Sequence, residues 1–300
     1  MNRFVSVQEK LPVVIGVDGT QAALQAVDLA ATEAAHRDAP LVMVHAWPGR
    51  YFGGPRLRAT VPDRAEGEHL LELAARRVRR TDPRLKVTTA LTDEGPAQAL
   101  LRWSARACLL VVGHREETLA HLGWGSTAAY LAHHSICPLL VNRGSAPTQG
   151  PVIVAVSGRH STTLQQAYEA AAYRGGTLAA VHVWISTKGP GSGDGERGDA
   201  EHRLDAVLNR SGRSWPDVPV TRVLISEAEI AYTLERAAWR GRLLVAGRGH
   251  KGWVVEALYR SVGVTSTGRR LCPVLLVPPG RPATTVPSPT AVARRATLTE

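Results

Sequence analysis

The sequence predicts two tandem α/β domains, each built on a parallel sheet of five strands with helices on both faces. Three observations point to this fold class. The chain has 300 residues, enough for two domains of about 150 residues each. Its motifs recur once in the same order, and within each copy short apolar runs alternate with segments of helical spacing.

The repeat is visible in four pairs of segments. VVIGVDG at Val13–Gly19 returns as VIVAVSG at Val152–Gly158, and LVMVHAW at Leu41–Trp47 returns as LAAVHVW at Leu178–Trp184. LLVVG and CPLLV of the first copy return as LLVAG and CPVLLV of the second. The repeated unit is therefore about 135 residues long. We expect domains at residues 1–145 and 151–279, followed by a tail at 280–300.

Five apolar runs of the first copy have the length of strands. They are Leu11–Val17, Leu41–Trp47, Leu85–Leu91, Cys108–Gly113 and Pro138–Asn142. Between them, helical spacing relates Ala22, Ala23, Ala26, Val27, Ala30 and Ala34, and later Leu100, Leu101, Ser104 and Ala107. Runs that are apolar on both faces and separated by helices are typical of strands buried in a parallel sheet. Right-handed crossovers then place helices on both faces of that sheet.

Three other segments have the composition of loops or tails. Gly144–Pro151 (GSAPTQGP) predicts a short linker. Lys188–Asp199 is rich in glycine and charge, so we expect it to be mobile. The tail from Gly280 has no periodic apolar pattern and predicts disorder, with a contact or modification segment as the less favoured alternative.

The composition excludes several classes of protein. Hydrophobic residues make up 44% of the chain, charged residues 21%, and the mean hydropathy is -0.10, as in ordinary globular proteins. No apolar run approaches the ~20 residues that span a bilayer, and Met1–Pro12 lacks the apolar core of a secretory signal. We therefore expect a cytoplasmic protein without a membrane partner. Cys108, Cys137 and Cys272 are too scattered for a disulfide framework and predict buried structural thiols.

The net charge of +10 would attract a polyanion, and nearly all of it is arginine. The densest basic stretch, Arg76 to Arg80, lies in a segment whose Leu70, Leu73, Ala74 and Val78 predict an apolar helix stripe. A solvated helix face explains this charge better than a nucleic-acid surface does.

Candidate binding residues follow the strands, because ligands of an open parallel sheet collect at the carboxyl ends of its strands. Asp18 follows the first strand, where it could hydrogen-bond a nucleoside or merely close a turn and cap the next helix. After the fourth strand, Ser126 and Thr127 open a helix behind Gly125. Free N–H groups and hydroxyls at that helix end suit a phosphate, although Ser126 could equally be an N-cap.

Motifs of catalysis and metal binding are missing from the sequence. It holds no G-x-S-x-G, HExxH or G-x-x-x-x-G-K-[ST] motif. The glycines of GRGHKG match G-x-G-x-x-G, but they follow a late strand and lack an acidic residue about 20 positions on, so we discount them. His45 and His182 stand at equivalent strand positions, which indicates a shared packing role rather than metal ligation.

Together the VDGT strand end, the VHAW strand, the EGPAQALL helix start and LLVVGHR…GST…CPLLVNR resemble the universal stress protein family. The resemblance covers nearly all of both copies and implies a tandem member with two Rossmann-like domains of the adenine nucleotide alpha hydrolase type. It implies that the last strands, Pro138–Val141 and Pro273–Val277, meet, so that the chain imitates a homodimer; whether two chains pair further is open.

In members that bind ATP, a G-x-x-G-x9-G-[S/T] loop after strand four wraps the phosphates. Carried over to the first copy, the resemblance implies binding by Asp18, Ala46, Val112, Gly113, Arg115, Gly125, Ser126 and Thr127. Glu116 stands where the second glycine belongs, and the stretch from there to Gly125 is one residue short. A carboxylate there would repel a triphosphate unless a metal, His114 or Arg115 screens it.

The second copy departs further from the pattern. Ser157 replaces the aspartate, His250 occupies the second glycine position, and Arg260 precedes Ser261 where the last glycine belongs. Arg260 could fill the phosphate space or clasp a phosphate itself. We expect the second copy not to bind nucleotide.

The resemblance implies a stress-response protein that binds ATP, with or without Mg²⁺, and acts as a ligand-dependent regulator or adaptor toward a protein partner. The alternative is a nucleotide-free scaffold whose phosphate loops no longer bind. We expect no catalytic residues and no enzyme activity beyond weak ATP hydrolysis; a true ATPase or nucleotidyl transferase is the least favoured reading.

Overall fold

The computed structural model describes residues 10–47, 64–113, 126–144, 149–156, 161–184, 193–226, 230–248 and 271–279. Contacts between residues divide the chain into two compact units, Met1–Gly113 and His114–Glu300. The predicted domains of residues 1–145 and 151–279 follow the sequence repeat rather than these contacts, and their bounds stay predictions.

The first unit is a parallel sheet with a helix after each of its first three strands. The strands pair in the order β3-β2-β1-β4, with Gly16 opposite Val44 and Ile15 opposite Val111. Helices α1 and α2 contact each other, and α3 contacts the strands β1, β2 and β4. The elements are β1 (Val13–Gly16), α1 (Gln21–Arg37), β2 (Leu41–Ala46), α2 (Arg64–Thr81), β3 (Val87–Thr92), α3 (Pro96–Ser104) and β4 (Leu109–Gly113).

Helix α1 shows why this sequence folds as it does. Thr20 caps its N-terminus, and Asp38, with a φ of 48°, ends it in the left-handed region. Of the predicted helical stripe, Ala23, Ala26, Val27, Ala30 and Ala34 are buried, whereas Ala22 is only half-buried. Helix α3 ends at Ser104, so Ala107 lies beyond it although it is buried too.

The buried face of helix α2 differs from the predicted apolar stripe. Leu73 is 52% exposed, and the buried positions are Gly67, Leu71, Ala74, Ala75 and Val78. These follow the i, i+4, i+7, i+8 and i+11 spacing of one helix face, which leaves Leu73 to one side.

The arginines of α2 are largely paired. Arg77 donates from Nε and Nη2 to the carboxylate of Asp28 on α1, at 2.6 and 2.7 Å. Arg76 and Arg79 both lie within salt-bridge distance of Glu72. This pairing reduces the free positive charge of the helix and favours the solvated-face interpretation.

In the second unit a five-stranded parallel sheet pairs in the order β10-β9-β6-β7-β8 and covers the second repeat. The predicted fold class is confirmed. No helix in the described ranges is long and apolar enough to cross a membrane. The elements are α4 (Ser126–His134), β5 (Leu139–Asn142), β6 (Val152–Ala155), α5 (Ser161–Tyr173), β7 (Leu178–Trp184), α6 (Gly193–Gly212), β8 (Val220–Ser226), α7 (Ile230–Arg240), β9 (Leu243–Gly247) and β10 (Val274–Val277).

The last strands of the two repeats meet, as expected. Strand β5 pairs with β10 in antiparallel fashion, with Leu140 opposite Leu275, and both strands are buried along their whole length. The pairing gives each strand a partner on that side and so protects an edge that would otherwise attract other chains.

An arginine lies at each end of this strand pair. Arg143 donates from Nε to the carbonyl oxygen of Cys272 at 3.0 Å, and Arg248 donates to the carbonyl oxygen of Ser135 at 2.9 Å. Burial lowers the pKa of both guanidinium groups. Each arginine therefore ties one repeat to the backbone of the other.

One expected loop is partly helical. Residues 193–199 belong to the segment predicted to be mobile, but they form the first turns of α6. Buried Ala200, Leu204 and Leu208 hold that helix against the sheet, and this packing overrides the low helix propensity of its glycines. The rest of that segment and the tail at 280–300 lie outside the described residues.

Cys137 and Cys272 are buried, and Cys108 is partly buried. None of the three is in a disulfide. Cys137 and Cys272 thus have the burial expected of structural thiols, whereas Cys108 has it only in part.

Candidate functional site

The first unit brings the carboxyl ends of β1, β2 and β4 to one edge of its sheet. Strand β1 lies between β2 and β4, so the strand order reverses beside it. Asp18 follows β1, and Gly113 ends β4 on the other side of this reversal. Open α/β sheets bind their ligands at such a point.

The turn Asp18-Gly19-Thr20 carries the first candidate residue. The backbone N–H and hydroxyl of Thr20 donate to Asp18 Oδ1 at 3.1 and 2.6 Å. Thr20 in turn accepts from the N–H of Ala23 at 3.2 Å. Of the roles considered for Asp18, turn closure is thus realised, whereas the helix cap is Thr20. The Asp18 residue is exposed at the strand end, and a turn role does not conflict with ligand binding.

Gly113 is required where it stands. A Cβ at this position would lie 2.8 Å from the carbonyl oxygen of Ala22, in the first turn of α1. Backbone atoms cannot give way as a flexible side chain can, so any other residue would push strand and helix apart. Val112, beside it, is buried. The end of β4 therefore lies directly against the N-terminus of α1.

Ala46 ends β2 and is half-buried opposite Thr92. The preceding residue, His45, donates from Nδ1 to the carbonyl oxygen of Val17 at 2.7 Å, which links the ends of β1 and β2. His182 makes the same bond to Val156 at 2.8 Å in the second repeat. The shared packing role expected of these histidines is confirmed.

Helix α4 begins at Ser126, with Thr127 half-buried at its second position. Arg115, Glu116 and Gly125 lie outside the described residues, as do Ser157, His250 and Arg260 of the second repeat. The structure places Asp18, Ala46, Val112 and Gly113 at or just beyond the carboxyl ends of β1, β2 and β4 in the first unit. The phosphate loop and the expected silence of the second copy stay predictions.

Sequence reasoning missed two residues of this edge. Thr20, not Asp18, caps α1, and a signal was available in a threonine directly before the apolar helix pattern. Gly67 of α2 was also missed: a Cβ there would lie 2.9 Å from the His45 ring, so the helix rests on that ring. In the described parts of the chain, no group of three or more His, Cys, Asp or Glu residues could hold a metal ion.

Comparisons with known proteins find similar sequences. The universal stress protein family matches residues 11–143. A universal stress protein of Mycolicibacterium smegmatis is 28% identical over 289 residues, which cover 89% of this chain and 97% of that protein. Another, from Mycobacterium tuberculosis, is 30% identical over 245 residues, or 78% of this chain and 87% of that one.

Solved structures show the same fold. A protein of unknown function from Pseudomonas aeruginosa matches with a TM-score of 0.60 and 15% identity, covering 90% of this chain and 92% of that one. A universal stress protein from Archaeoglobus fulgidus matches with a TM-score of 0.56 and 13% identity, covering 90% and 96%.

Proposed function

The chain belongs to the universal stress protein family, and we propose that its first repeat binds ATP at the carboxyl ends of β1, β2 and β4. One observation carries this proposal. Asp18 and Gly113, which match the family's nucleotide pattern, flank the reversal of strand order in the first unit.

The described residues fit a nucleoside. Asp18 offers a carboxylate, an acceptor for ribose hydroxyls, on a turn fixed by two hydrogen bonds from Thr20. Ala46 leaves room beside the end of β2 because its side chain is small. Gly113 lets the loop after β4 begin close to the helix, as a loop that wraps phosphates requires.

By the family's pattern, the phosphates would be bound by residues of the loop after β4 and of α4. Arg115 supplies positive charge, Gly125 supplies a turn without a side chain, and Ser126 and Thr127 supply hydroxyls and helix N–H groups. Mg²⁺, where bound with ATP, would screen the carboxylate of Glu116 from the phosphates.

ATP bound in this way makes the protein a ligand-dependent regulator or adaptor. Occupancy favours one arrangement of the loop from residue 113 to residue 125 over others, and so changes the surface offered to a protein partner. No catalytic residue is needed for this function. The site acts in the cytoplasm as a sensor of the nucleotide.

Substitution of Asp18 tests the proposal. Asp18→Ala removes an acceptor for the ribose, so the affinity for ATP should fall by about 1–3 kcal/mol, measured by isothermal titration calorimetry with Mg²⁺. Asp82→Ala is the matched control, because Asp82 Oδ1 accepts from the N–H of Arg84 in the same kind of turn, at 3.1 Å, elsewhere in the unit. An unchanged ATP affinity in Asp18→Ala would show that Asp18 only forms the turn.

A further inference from the structure

A cavity of about 300 Å³ lies at the carboxyl ends of β6 and β7, under helix α6. Its walls include Val156, His182, Trp184, Arg203, Leu204 and Val207. Four of these side chains are apolar or aromatic, and one is a cation. The cavity belongs to the second repeat, so the nucleotide site proposed for the first repeat does not account for it.

The two repeats differ on the helix that covers this region. Glu68-His69 of α2 and Glu201-His202 of α6 align, so Leu70 corresponds to Arg203. In the first repeat Leu70 packs on the turn after β1, with its Cδ1 2.7 Å from where a Cβ of Gly19 would stand. The second repeat has an exposed arginine at the corresponding helix position instead of an aliphatic side chain.

The side chain of Arg203 is exposed. No described residue accepts a hydrogen bond or forms an ion pair with it: Asp205 pairs with Arg222 on β8, and Asp199, one turn earlier on α6, makes no salt bridge with it. A cation beside an apolar wall without its own carboxylate suits an anionic group supplied by a ligand.

The other residues that line the cavity determine which kind of ligand would fit. His182 donates from Nδ1 to the carbonyl oxygen of Val156, so a neutral ring keeps its lone pair on Nε2. Trp184 offers an indole ring and Val207 an aliphatic side chain, both half-buried, and the buried Leu204 also lines the cavity. Such a wall favours a planar apolar ring.

We propose that the second repeat binds a small aromatic carboxylate, with its ring against Trp184 and Val207 and its carboxylate at Arg203. A volume of about 300 Å³ is the lower end of the range for small-molecule pockets, so it suits one ring or two fused rings rather than a nucleoside triphosphate. The site is separate from the ATP site and does not depend on it.

The probe is 2-naphthoate, titrated into the full chain by isothermal calorimetry, with neutral 2-naphthalenemethanol as its uncharged counterpart. We expect a dissociation constant of about 1 mM or tighter for 2-naphthoate and at least about five-fold weaker binding of the alcohol. Equal affinity for both probes would overturn the proposal. So would the absence of 2-naphthoate binding at about 10 mM, ten-fold above the expected dissociation constant.

Two variants locate the site. Arg203→Gln should weaken 2-naphthoate about five-fold or more and leave the alcohol unchanged, whereas Arg210→Gln, which removes an exposed arginine from the same helix, should change neither. Val207→Trp should fill the cavity and abolish both titrations, with circular dichroism confirming the fold. Unchanged 2-naphthoate affinity in Arg203→Gln, read beside its own folded spectrum, would refute the assignment.

A nucleotide is the competing occupant. AMP should not displace 2-naphthoate, and Asp18→Ala should leave 2-naphthoate binding intact even where ATP binding is lost. Competitive displacement by AMP that persists in Gly125→Arg, the variant designed to disable the first-repeat site, would assign the cavity to nucleotides and contradict the proposal. Failure of the ATP proposal alone would leave the 2-naphthoate titration unchanged.

Discussion

At the scale of single residues, close contacts at glycine decide how the helices sit on the sheet. Gly113 allows β4 to end against the backbone of α1, and Gly67 allows α2 to rest on the His45 ring and on Leu91. Gly198 of α6 differs, because a Cβ there would meet nothing within 4 Å. The same substitution should therefore have opposite signs at Gly67 and Gly198.

Gly67→Ala should lower the free energy of unfolding by about 1 kcal/mol. The new methyl gains about 0.5–1 kcal/mol of helix propensity but overpacks a ring held by its bond to Val17, at a cost of about 1–3 kcal/mol. Gly198→Ala should raise stability by up to about 1 kcal/mol. Urea midpoints followed by circular dichroism compare the two, and stabilisation by Gly67→Ala would contradict the close packing of α2.

Cys272 is a second residue whose surroundings set its chemistry. Burial raises the pKa of its thiol above the usual 9.0, although the nearby Arg143 guanidinium acts in the opposite direction. Its Sγ donates to the carbonyl oxygen of Ala237 at 3.6 Å. The folded protein therefore prefers the neutral thiol.

A raised folded pKa stabilises the protein fully below the unfolded value of 9.0, and that stability is lost as the pH rises through the folded pKa. The free energy of unfolding should thus fall above pH 9, and Cys272→Ala should make this fall shallower. Urea unfolding at a series of pH values from 8 upward measures both slopes. Identical slopes in the two proteins would mean that burial does not raise the pKa of this thiol.

At the scale of elements, side chains tie neighbouring helices together. The pair of hydrogen bonds from Arg77 to Asp28 joins α2 to α1, and Arg143 and Arg248 join the two ends of the β5–β10 pair to the opposite repeat. The first tie is about half exposed, whereas Arg143 is buried. Solvent and salt should therefore weaken the first tie far more than the second.

A double-mutant cycle of Asp28→Asn and Arg77→Gln measures the tie between α1 and α2. We expect a coupling of about 0.5–1 kcal/mol, because the geometry is bidentate but both side chains reach water. The coupling should shrink in 1 M salt, where the Debye length is about 3 Å. A coupling above about 2 kcal/mol, or one insensitive to salt, would show that this pair is shielded from solvent.

At the scale of the whole molecule, burial made the inner strands predictable, whereas the edge strand β3, predicted to be buried, leaves Thr88 and Thr89 exposed. Runs such as Leu41–Trp47 are apolar on both faces, and the observed strand Leu41–Ala46 differs from the prediction by one residue. The rotation of α2 was not predictable, because several of its faces carry apolar residues and only packing selects one. Helix α6 was missed at residues 193–199, where tertiary contacts override a glycine-rich sequence.

The candidate site, too, was predictable from the sequence only in part. Asp18 and Gly113 could be placed at one edge, because parallel strands end together. The contacts that make Gly113 obligatory involve the backbone of a helix 90 residues earlier in the chain, which no local pattern reveals. The family resemblance supplied the ligand, and the packing of α1 against β4 supplies a physical reason for the glycine.

Native mass spectrometry of the full chain with ATP and Mg²⁺ tests directly whether one repeat of the tandem pair binds ATP. We expect one ATP per chain, and none in Gly125→Arg, which introduces into the first repeat the residue type that Arg260 provides in the second. Two ATP molecules per chain, retention of ATP by Gly125→Arg, or no binding at millimolar ATP would each contradict this expectation, the last in favour of a nucleotide-free scaffold.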